Sequence, residues 1–395
     1  MAATIRPDIS PAIADALGFD TALGAGQQVL LGRAHVMFAA FGSIARPLAE
    51  RAVAVGFRDL TIVDPKAYVA KSVASQCQAE EVGLLKVEAG KRRLEERGAS
   101  VAAYPRDLAT LTDGTVRRNS VLVVSADNPR ADILANRLAA RMAVRLLKIN
   151  VEPRYGVAAV RAVDFRQPSA VCIECQFNER HYARQRHPKS CDGTGERPTG
   201  SPRALSDAAS QVGLVALLEV LDENKAGRWF GSEMQYGVDT GKATWSQLAP
   251  NPDCRSDHGG RWASLERLAS GPEAISLAEL IRCASIVLGE PTLVRFCQQV
   301  ALRSRCERCE YESRRPRWLA ELEVPQGDCP QCAAPMLPVP YYVYRELPLS
   351  ELALVLEEPL AAWGVQPGAV IELCHGSLRR AFVVGNGCLL RGGVQ

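Results

Sequence analysis

Between residues 34 and 163, continuous apolar runs alternate with amphipathic stretches. "AHVMFAAF" (34–41), "DLTIVD" (59–64), "SVLVVSA" (120–126), "RLLKIN" (145–150) and "YGVAAVRAV" (155–163) read as strands. Helical patterns fill the spaces at 44–55, 79–98 and from Pro129 to about Met142. Gly98 suits the end of the second helix, and Pro129 suits the first turn of the third. A strand apolar at nearly every position is buried on both faces, which requires helices on both sides and parallel pairing. The expected class is therefore α/β, with a mostly parallel sheet flanked by helices.

The pattern breaks after residue 165. Residues 166–202 are polar and basic, and carry "CIEC" at one end and "KSCDGTG" at the other. An apolar helix, "ALSDAASQVGLVALLEVLDE" (204–223), follows, then two short strand candidates and "PNPDCRSDHGG". Residues 261–302 read as helices, 303–340 contain paired cysteines, and 341–395 read as strand, helix, strand, strand. The expected organisation is an N-terminal segment (1–30), a nucleotide-type domain (31–260) with a crossover loop at 166–202, a helical connector (261–302), a ribbon (303–340) and a small αβ tail (341–395).

Charge excludes some functions. With 47 basic and 44 acidic side chains the net charge is +3, too balanced for nucleic-acid binding through bulk charge. The N-terminal "MAATIRPDISPAIADALGF" has no apolar core behind a basic segment, so no signal peptide is expected. The longest apolar runs, such as "VGLVALLEVL" (212–221), are short for a bilayer span, so no membrane role is expected. Thirteen cysteines in a chain expected to be cytoplasmic point to metal sites or thiol chemistry rather than disulfides.

Cys306-x-x-Cys309 and Cys329-x-x-Cys332 lie nineteen residues apart, the spacing of a zinc ribbon. Each pair supplies half of a tetrahedral Zn2+ site, and four protein ligands make it structural. Cys172-x-x-Cys175 is a third such turn. Its expected partners are Cys254 and His258, with Asp257 or another cysteine as the alternative fourth ligand. The chain is thus expected to hold two structural Zn2+ ions. The basic "ESRRPR" (312–317) reads as a solvated loop.

In "VMFAAFGSIARPLAE" (36–50) a strand meets a helix where a dinucleotide fold would place G-x-G-x-x-G. The three positions here are Ala40, Gly42 and Ala45. A helix N-terminus favours an anion, and glycine lets backbone approach phosphate. The bland alternative is a plain tight turn. Asp64 ends the next strand, 22 residues after Gly42, where a carboxylate can bind ribose hydroxyls. Asp127 ends another strand at the same crevice and can hold Mg2+; the alternative is an N-cap for the helix that follows. Lys86 can reach phosphate or be a solvated lysine.

These residues together resemble a family. "AFGSIARPLAERAVAVGFRDLTIVD", then Lys86, "SADNPRADILANRLA", "CIEC" and a late cysteine follow the layout of ThiF/MoeB-like proteins, prokaryotic relatives of ubiquitin-activating enzymes. The similarity covers roughly residues 24–260, including "GAGQQVLLGRAHV" before the first strand. The resemblance implies a Rossmann-like sheet, usually in a homodimer or a heterodimer with a homologue. It also implies ATP·Mg2+ binding and adenylation of the C-terminus of a ubiquitin-like or sulfur-carrier protein. By resemblance Asp64 binds ribose, Lys86 the phosphates and Asp127 Mg2+. Gln76 matches the glutamine of the family's S-N-L-x-R-Q segment, and Asn136 the asparagine of D-N-x(7)-N.

The chain departs from that pattern. "KSVASQ" (71–76) puts Ser72 where asparagine stands and Ser75 where arginine neutralises departing pyrophosphate. Lys66 replaces a second acidic residue; Lys66 or Lys71 can return some charge, but lysine lacks arginine's fork. Arg6 or Arg33 are the candidates for an arginine donated across a dimer. Cys191, in "RQRHPKSCDGTG", falls where the family's thioester cysteine often lies. Arg186, His187 and Lys189 around it would lower its pKa. The alternatives are a spare loop thiol or a zinc ligand. Cys77 is a second choice, and Cys283 and Cys297 read as core. By the same resemblance the tail suits a small domain that recruits a conjugating enzyme, or a packing domain.

Three functions compete. The first is an activating enzyme in a bacterial ubiquitin-like conjugation pathway, by analogy one tied to phage defence. The second is a catalytically weak scaffold subunit of such a complex. The third is an NAD(P)-dependent oxidoreductase, which Asp64 permits but for which no catalytic dyad is visible.

Overall fold

The computed structural model describes residues 25–116, 120–167, 169–186, 202–256, 258, 261–262, 265–319 and 327–385. Cys191, His187, Lys189, Asp257 and Arg6 lie outside the described residues. Two compact units are present, one from 1–108 with 117–261, the other from 109–116 with 262–395.

The first unit is built on an eight-stranded sheet in the order β3-β2-β1-β4-β5-β6-β7-β8. Its strands are β1 (His35–Ala39), β2 (Asp59–Val63), β3 (Ser100–Tyr104), β4 (Ser120–Val124), β5 (Arg145–Glu152), β6 (Val157–Asp164), β7 (Ser232–Gly237) and β8 (Lys242–Gln247). The pairs from β3 to β5 are parallel, as the continuous apolar runs require. All five residues of β1 and of β4 are buried.

The last three strands depart from the parallel expectation. β6, β7 and β8 each pair antiparallel. For the β5–β6 and β7–β8 pairs the physical reason lies in the short connections; β6 and β7 are joined by a long segment that contains a helix, and its length does not set their direction. β5 turns into β6 through Pro153–Tyr155 and Gly156 (φ 61°), and β7 into β8 through a turn with Gly241 at φ 65°. Neither has room for the crossover that a parallel pair needs.

The helices of this unit are α1 (Ala25–Arg33), α2 (Ala45–Val55), α3 (Lys86–Glu95), α4 (Pro129–Met142), α5 (Glu179–Arg186) and α6 (Arg203–Leu221). The stretch 79–98 is a shorter helix than its periodicity predicts, because a 3-10 turn at Ala79–Glu81 precedes α3. On one sheet face Val36, Phe38, Leu60, Ile62, Val121, Val123, Leu147 and Ile149 form a single core with α2 and α6. By length and composition α6 alone among the described helices could cross a membrane, but 78% of its apolar window is buried. It packs on β5, β6 and α2. A Cβ on Gly213 would lie 2.5 Å from Ile149 Cδ1, so this glycine sets how closely α6 approaches the sheet.

The second unit has a sheet in the order β13-β10-β16-β17-β9, with β15 also on β10. The strands are β9 (Leu265–Arg267), β10 (Leu293–Ala301), β13 (Arg317–Leu319), β15 (Val343–Pro348), β16 (Val370–His375) and β17 (Leu378–Val383). A smaller sheet joins β11 (Ser304–Cys306), β12 (Glu312–Ser313) and β14 (Met336–Pro338). The region 261–302 is not all helical. It contains one helix, α7 (Leu277–Leu288), between β9 and β10. In β10 Val294, Phe296, Gln298 and Val300 are buried at period two, and neighbours pair on both sides. The expected tail helix is two 3-10 segments, Leu349–Val355 and Leu360–Trp363, each preceded by a proline. Cys297 is buried as expected, whereas Cys283 is exposed on α7.

Candidate functional site

The turn after β1 carries the first candidate site. Ala40 has φ 68°, the left-handed conformation that a glycine adopts at no steric cost. Its N–H donates to Val63 O at 2.9 Å, so the chain leaves the sheet at the end of β2. Phe41 N–H then donates to Asp64 Oδ2 at 2.8 Å, and Lys66 N–H to Asp64 Oδ1 at 2.8 Å. Asp64 is buried and ties the turn to the exit of β2. Each of its oxygens keeps a second lone pair for a ligand hydroxyl.

A Cβ on Gly42 would meet Gln76 Oε1 at 4.0 Å and no other neighbour within that distance. Ala45, buried, begins α2. Ile44 caps that helix without a side-chain hydrogen bond, and the first turn has no acidic residue. The positive end of the helix is therefore not neutralised by its own first turn.

Lys86 begins α3 and is only 9% exposed, so it is not a solvated lysine. Its Nζ donates to Gln76 Oε1 at 2.9 Å and lies 5.7 Å from the centre of the Tyr68 ring. The structure thus gathers Ala40, Gly42, Ala45, Asp64, Gln76 and Lys86 around one turn at the C-terminal ends of parallel strands.

Asp127 is exposed between β4 and α4. It is not the N-cap. That role falls to Asn128, whose Oδ1 accepts from Ala131 N–H at 2.9 Å.

Asn136 is elsewhere engaged. Its Nδ2 donates to Glu174 Oε1 and Ser256 Oγ, both at 3.1 Å, and its Oδ1 accepts Ile173 N–H at 3.0 Å. Both amide hydrogens and one lone pair of the oxygen are spent on Glu174, Ser256 and Ile173 beside the cysteine cluster, so Asn136 is not carried into the nucleotide proposal. Two amide hydrogens and a carbonyl suit either role, and sequence spacing cannot separate them.

Arg46, Tyr68 and Glu81 escaped the sequence reading. Arg46 Nη1 donates to Glu81 Oε2 (2.8 Å), Gln76 O (2.7 Å) and Tyr68 Oη (3.2 Å), and Nη2 to Glu81 Oε1 (3.1 Å). Arg93 Nε and Gln78 N–H complete the shell of Glu81 at 2.9 and 2.8 Å. Burial alone would push the Glu81 carboxyl up. The bonds from Arg46, Gln78 and Arg93 outweigh it and hold the group at about 2. The available signal was Arg46 itself, a cation in the first turn of a helix where the dipole disfavours it.

Ser72 Oγ accepts Val69 N–H at 3.1 Å, a turn-stabilising role, and Ser75 closes the same turn. Lys66 and Lys71 are exposed. Burial pushes the Cys77 thiol up, and nearby Glu81 adds to the shift, which makes it a poor nucleophile near neutral pH.

Two cysteine clusters form the second kind of site. In the first unit Cys172 Sγ lies 3.7 Å from Cys175 Sγ and 3.6 Å from Cys254 Sγ, and Cys175 Sγ lies 3.7 Å from His258 Nε2. In the second unit Cys306 and Cys332 are 3.5 Å apart and Cys309 and Cys329 3.4 Å. Metal–sulfur bonds of about 2.3 Å give tetrahedral S···S edges of about 3.8 Å, while a disulfide would need about 2.05 Å. Both sets could hold one metal ion, with all four ligand atoms within 4.8 Å of one another. Glu310 (φ 61°) and Ala333 (φ 55°) follow the second cysteine of each ribbon pair, so the two turns share one left-handed step.

The first cluster has a built surround. Glu174, fully buried between its cysteines, accepts from Arg137 Nε and Nη2 at 3.0 and 2.8 Å and from Tyr182 Oη at 3.1 Å. Arg161 Nη2 donates to Cys172 O at 2.5 Å.

No protein-family profile matches the sequence, and no curated protein matches it. Among solved structures, E. coli MccB with succinimide is 18% identical over 58% of this chain and 68% of that one, with a TM-score of 0.47. E. coli MccB with ATP has the same identity and coverage and a TM-score of 0.45. PaaA is 10% identical over 56% of this chain and 66% of that one, with a TM-score of 0.44. At these values the likenesses carry no argument about what this chain does.

Proposed function

We propose that the first unit binds ATP·Mg2+ and adenylates the C-terminal carboxylate of a peptide or carrier protein. The observation that carries this reading is the cluster at the first strand–helix turn. Asp64 is bonded to the turn itself, Gln76 faces Gly42, and the buried Lys86 ammonium rests on a neutral amide oxygen. A helix end without an acidic cap and a buried ammonium favour phosphates, and a carboxylate at the end of β2 favours ribose. Asp127 would hold Mg2+, which screens the charge of the phosphates. In the reaction the substrate carboxylate displaces pyrophosphate from the α-phosphorus, and Lys86 offsets the charge on the phosphate oxygens.

The finer reading follows the sequence. The partner is a ubiquitin-like or sulfur-carrier protein. The Cys191 thiolate takes the acyl group from the adenylate as a thioester, with AMP leaving, and the protein works in the cytoplasm of a bacterium as a dimer within a conjugation pathway tied to phage defence. Zn2+ fills both cysteine clusters and fixes their turns. The domain scheme drawn from the sequence, apart from the helical connector at 261–302, is part of this proposal. A second reading, the scaffold subunit, is favoured by one observation: Ser75 closes a turn where an arginine would face pyrophosphate.

Calorimetric titration with ATP·Mg2+ tests the proposal. The wild type is expected to bind, and Asp127→Ala and Lys86→Ala each to bind at least about tenfold more weakly, the loss of a charge-assisted contact. No binding by folded wild-type protein at millimolar ATP would overturn it and leave the scaffold reading.

A further inference from the structure

Arg161 is a buried cation that no carboxylate meets directly. It lies on β6 and is only 5% exposed. Its in-register neighbours are Lys148 on β5 and Glu233 on β7. Lys148 is matched by Asp132, to which its Nζ donates at 2.7 Å. Glu233 is half-buried and acts on Arg161 through its charge, yet among the described residues no ion pair joins the two. Arg161 Nε is buried without a hydrogen-bond partner, and Nη2 donates to a backbone oxygen, Cys172 O, at 2.5 Å. Buried charges are ordinarily paired, so this guanidinium calls for an anion beside it.

The first cysteine cluster supplies one. Burial pulls the Arg161 guanidinium down from the ordinary arginine range, and the charges of Glu233, Cys172, Cys175 and Cys254 act against that pull. A metal ion takes cysteine as thiolate and histidine as neutral imidazole. Zn2+ on Cys172, Cys175, Cys254 and His258 is therefore left with a single negative charge. Glu174, the buried carboxylate between these cysteines, already has its own cation, because Arg137 donates to it from Nε and Nη2 at 3.0 and 2.8 Å. Arg161 then balances the thiolates. The ribbon cluster differs, since Cys309 is exposed and water screens its charge.

We propose that Arg161 is the buried counter-cation of a negatively charged metal–thiolate unit at the first cluster. This rests on the proposed Zn2+ at that cluster and adds the side chain that offsets its charge. Arg161 is a positioning residue: it acts on the metal through the ligands. Its bond to Cys172 O holds the start of the Cys172–Cys175 turn, and its charge offsets the excess that the thiolates bring. It also ties the metal to β6, which lies between β5 and β7 in the antiparallel half of the sheet. Groups that support metal ligands in this way are worth roughly ten- to a hundredfold in metal affinity.

Zinc release to excess EDTA tests this, on the full chain carrying Cys306→Ser so that the first cluster is followed alone. Arg161→Gln keeps an N–H for Cys172 O and loses the charge, whereas Arg161→Lys keeps the charge. Arg161→Gln is expected to release zinc at least about tenfold faster, and Arg161→Lys to stay within about threefold of the parent. With Co2+ in place of Zn2+, the sulfur-to-metal charge-transfer band should move to longer wavelength in Arg161→Gln and stay in place in Arg161→Lys, because removing a nearby positive charge raises the energy of the sulfur electrons. An unchanged rate with an unmoved band in Arg161→Gln would overturn the proposal. Equal acceleration in both variants would also overturn it, since the bond to Cys172 O would then matter and not the charge. Glu233→Gln, at a half-buried position, keeps the test open if Arg161→Gln does not fold. It is expected to change release less than about twofold, and a tenfold change would assign Arg161 to Glu233 instead. A Cys306→Ser chain that holds no metal by elemental analysis would sink this proposal and the Zn2+ proposal together, whereas bound metal with unchanged release sinks the role of Arg161 alone.

Discussion

Replacing Glu81 by glutamine tests the network that holds the nucleotide-side segment in place. The Glu81 carboxyl moves from an ordinary 4.5 to about 2 on folding. At about 1.4 kcal/mol per pH unit, its ionised form contributes about 3 kcal/mol of stability. Because the folded value is depressed, that contribution is fully present above about pH 4.5 and is lost as pH falls toward 2. Glu81→Gln is therefore expected to lower the urea-unfolding free energy by about 3 kcal/mol at pH 7. The difference from wild type should shrink steadily below about pH 4.5. Acid also strips metal from thiolates, but it acts on both proteins and cancels in the difference. Arg46 would lose its main anchor, and through it the grip on Gln76 O and Tyr68 Oη. ATP binding should weaken with stability. A difference under 1 kcal/mol at pH 7, or one that does not change with pH, would refute the assignment of Glu81 as the charged centre of this network.

Two further outcomes follow. A Cβ at position 90 would lie 2.4 Å from Phe41 Cε1, so Gly90→Ala must displace the buried ring of Phe41, whose backbone N–H is held by Asp64. It is expected to cost about 1–2 kcal/mol in urea unfolding, overpacking set against better helix propensity, and to weaken ATP binding. Elemental analysis of the purified chain is expected to find two zinc ions. Cys306→Ser and Cys172→Ser should each remove one, with a lower melting temperature in each case.

The parallel half of the sheet was legible because strands buried on both faces leave an unbroken apolar signature, as in "SVLVV" of β4. The antiparallel half was not, since β6 is just as apolar and only the shortness of the turn at Gly156 sets its direction. β10 was misread because "LVRFCQQVA" carries apolar residues at both helical and strand spacing, and its paired neighbours decide between them. The cysteine clusters were the most legible of the candidate sites, as a ligand pair on one tight turn fixes its own geometry. Cys254 and His258 meet Cys172 and Cys175 from more than eighty residues away, and what pointed to them was their own C-x-x-x-H spacing. Asn136 and Arg46 were opaque for a common reason. Each makes several hydrogen bonds to residues distant in sequence, and nothing local shows which.

The arrangement of cations separates holding a nucleotide from turning it over. Arg46 is one cation at the turn, but Glu81 engages both its terminal nitrogens, so it contributes order rather than free positive potential. Lys86 differs. It is buried, yet its hydrogen-bond partner is the neutral oxygen of Gln76, which leaves its charge uncancelled at that contact. Together with the helix end at Ile44 this fits the proposed binding of ground-state phosphates, which need a modest positive field and backbone N–H groups. The step that expels pyrophosphate asks for more, because charge builds on the departing oxygens and a fork of donors meets it best. Ser75 supplies no such fork. Where ATP is bound, the enzyme and scaffold readings therefore part only at the transition state; where it is not, only the scaffold reading stands. Measured ATP affinity speaks to the site, and measured turnover to what replaced the arginine.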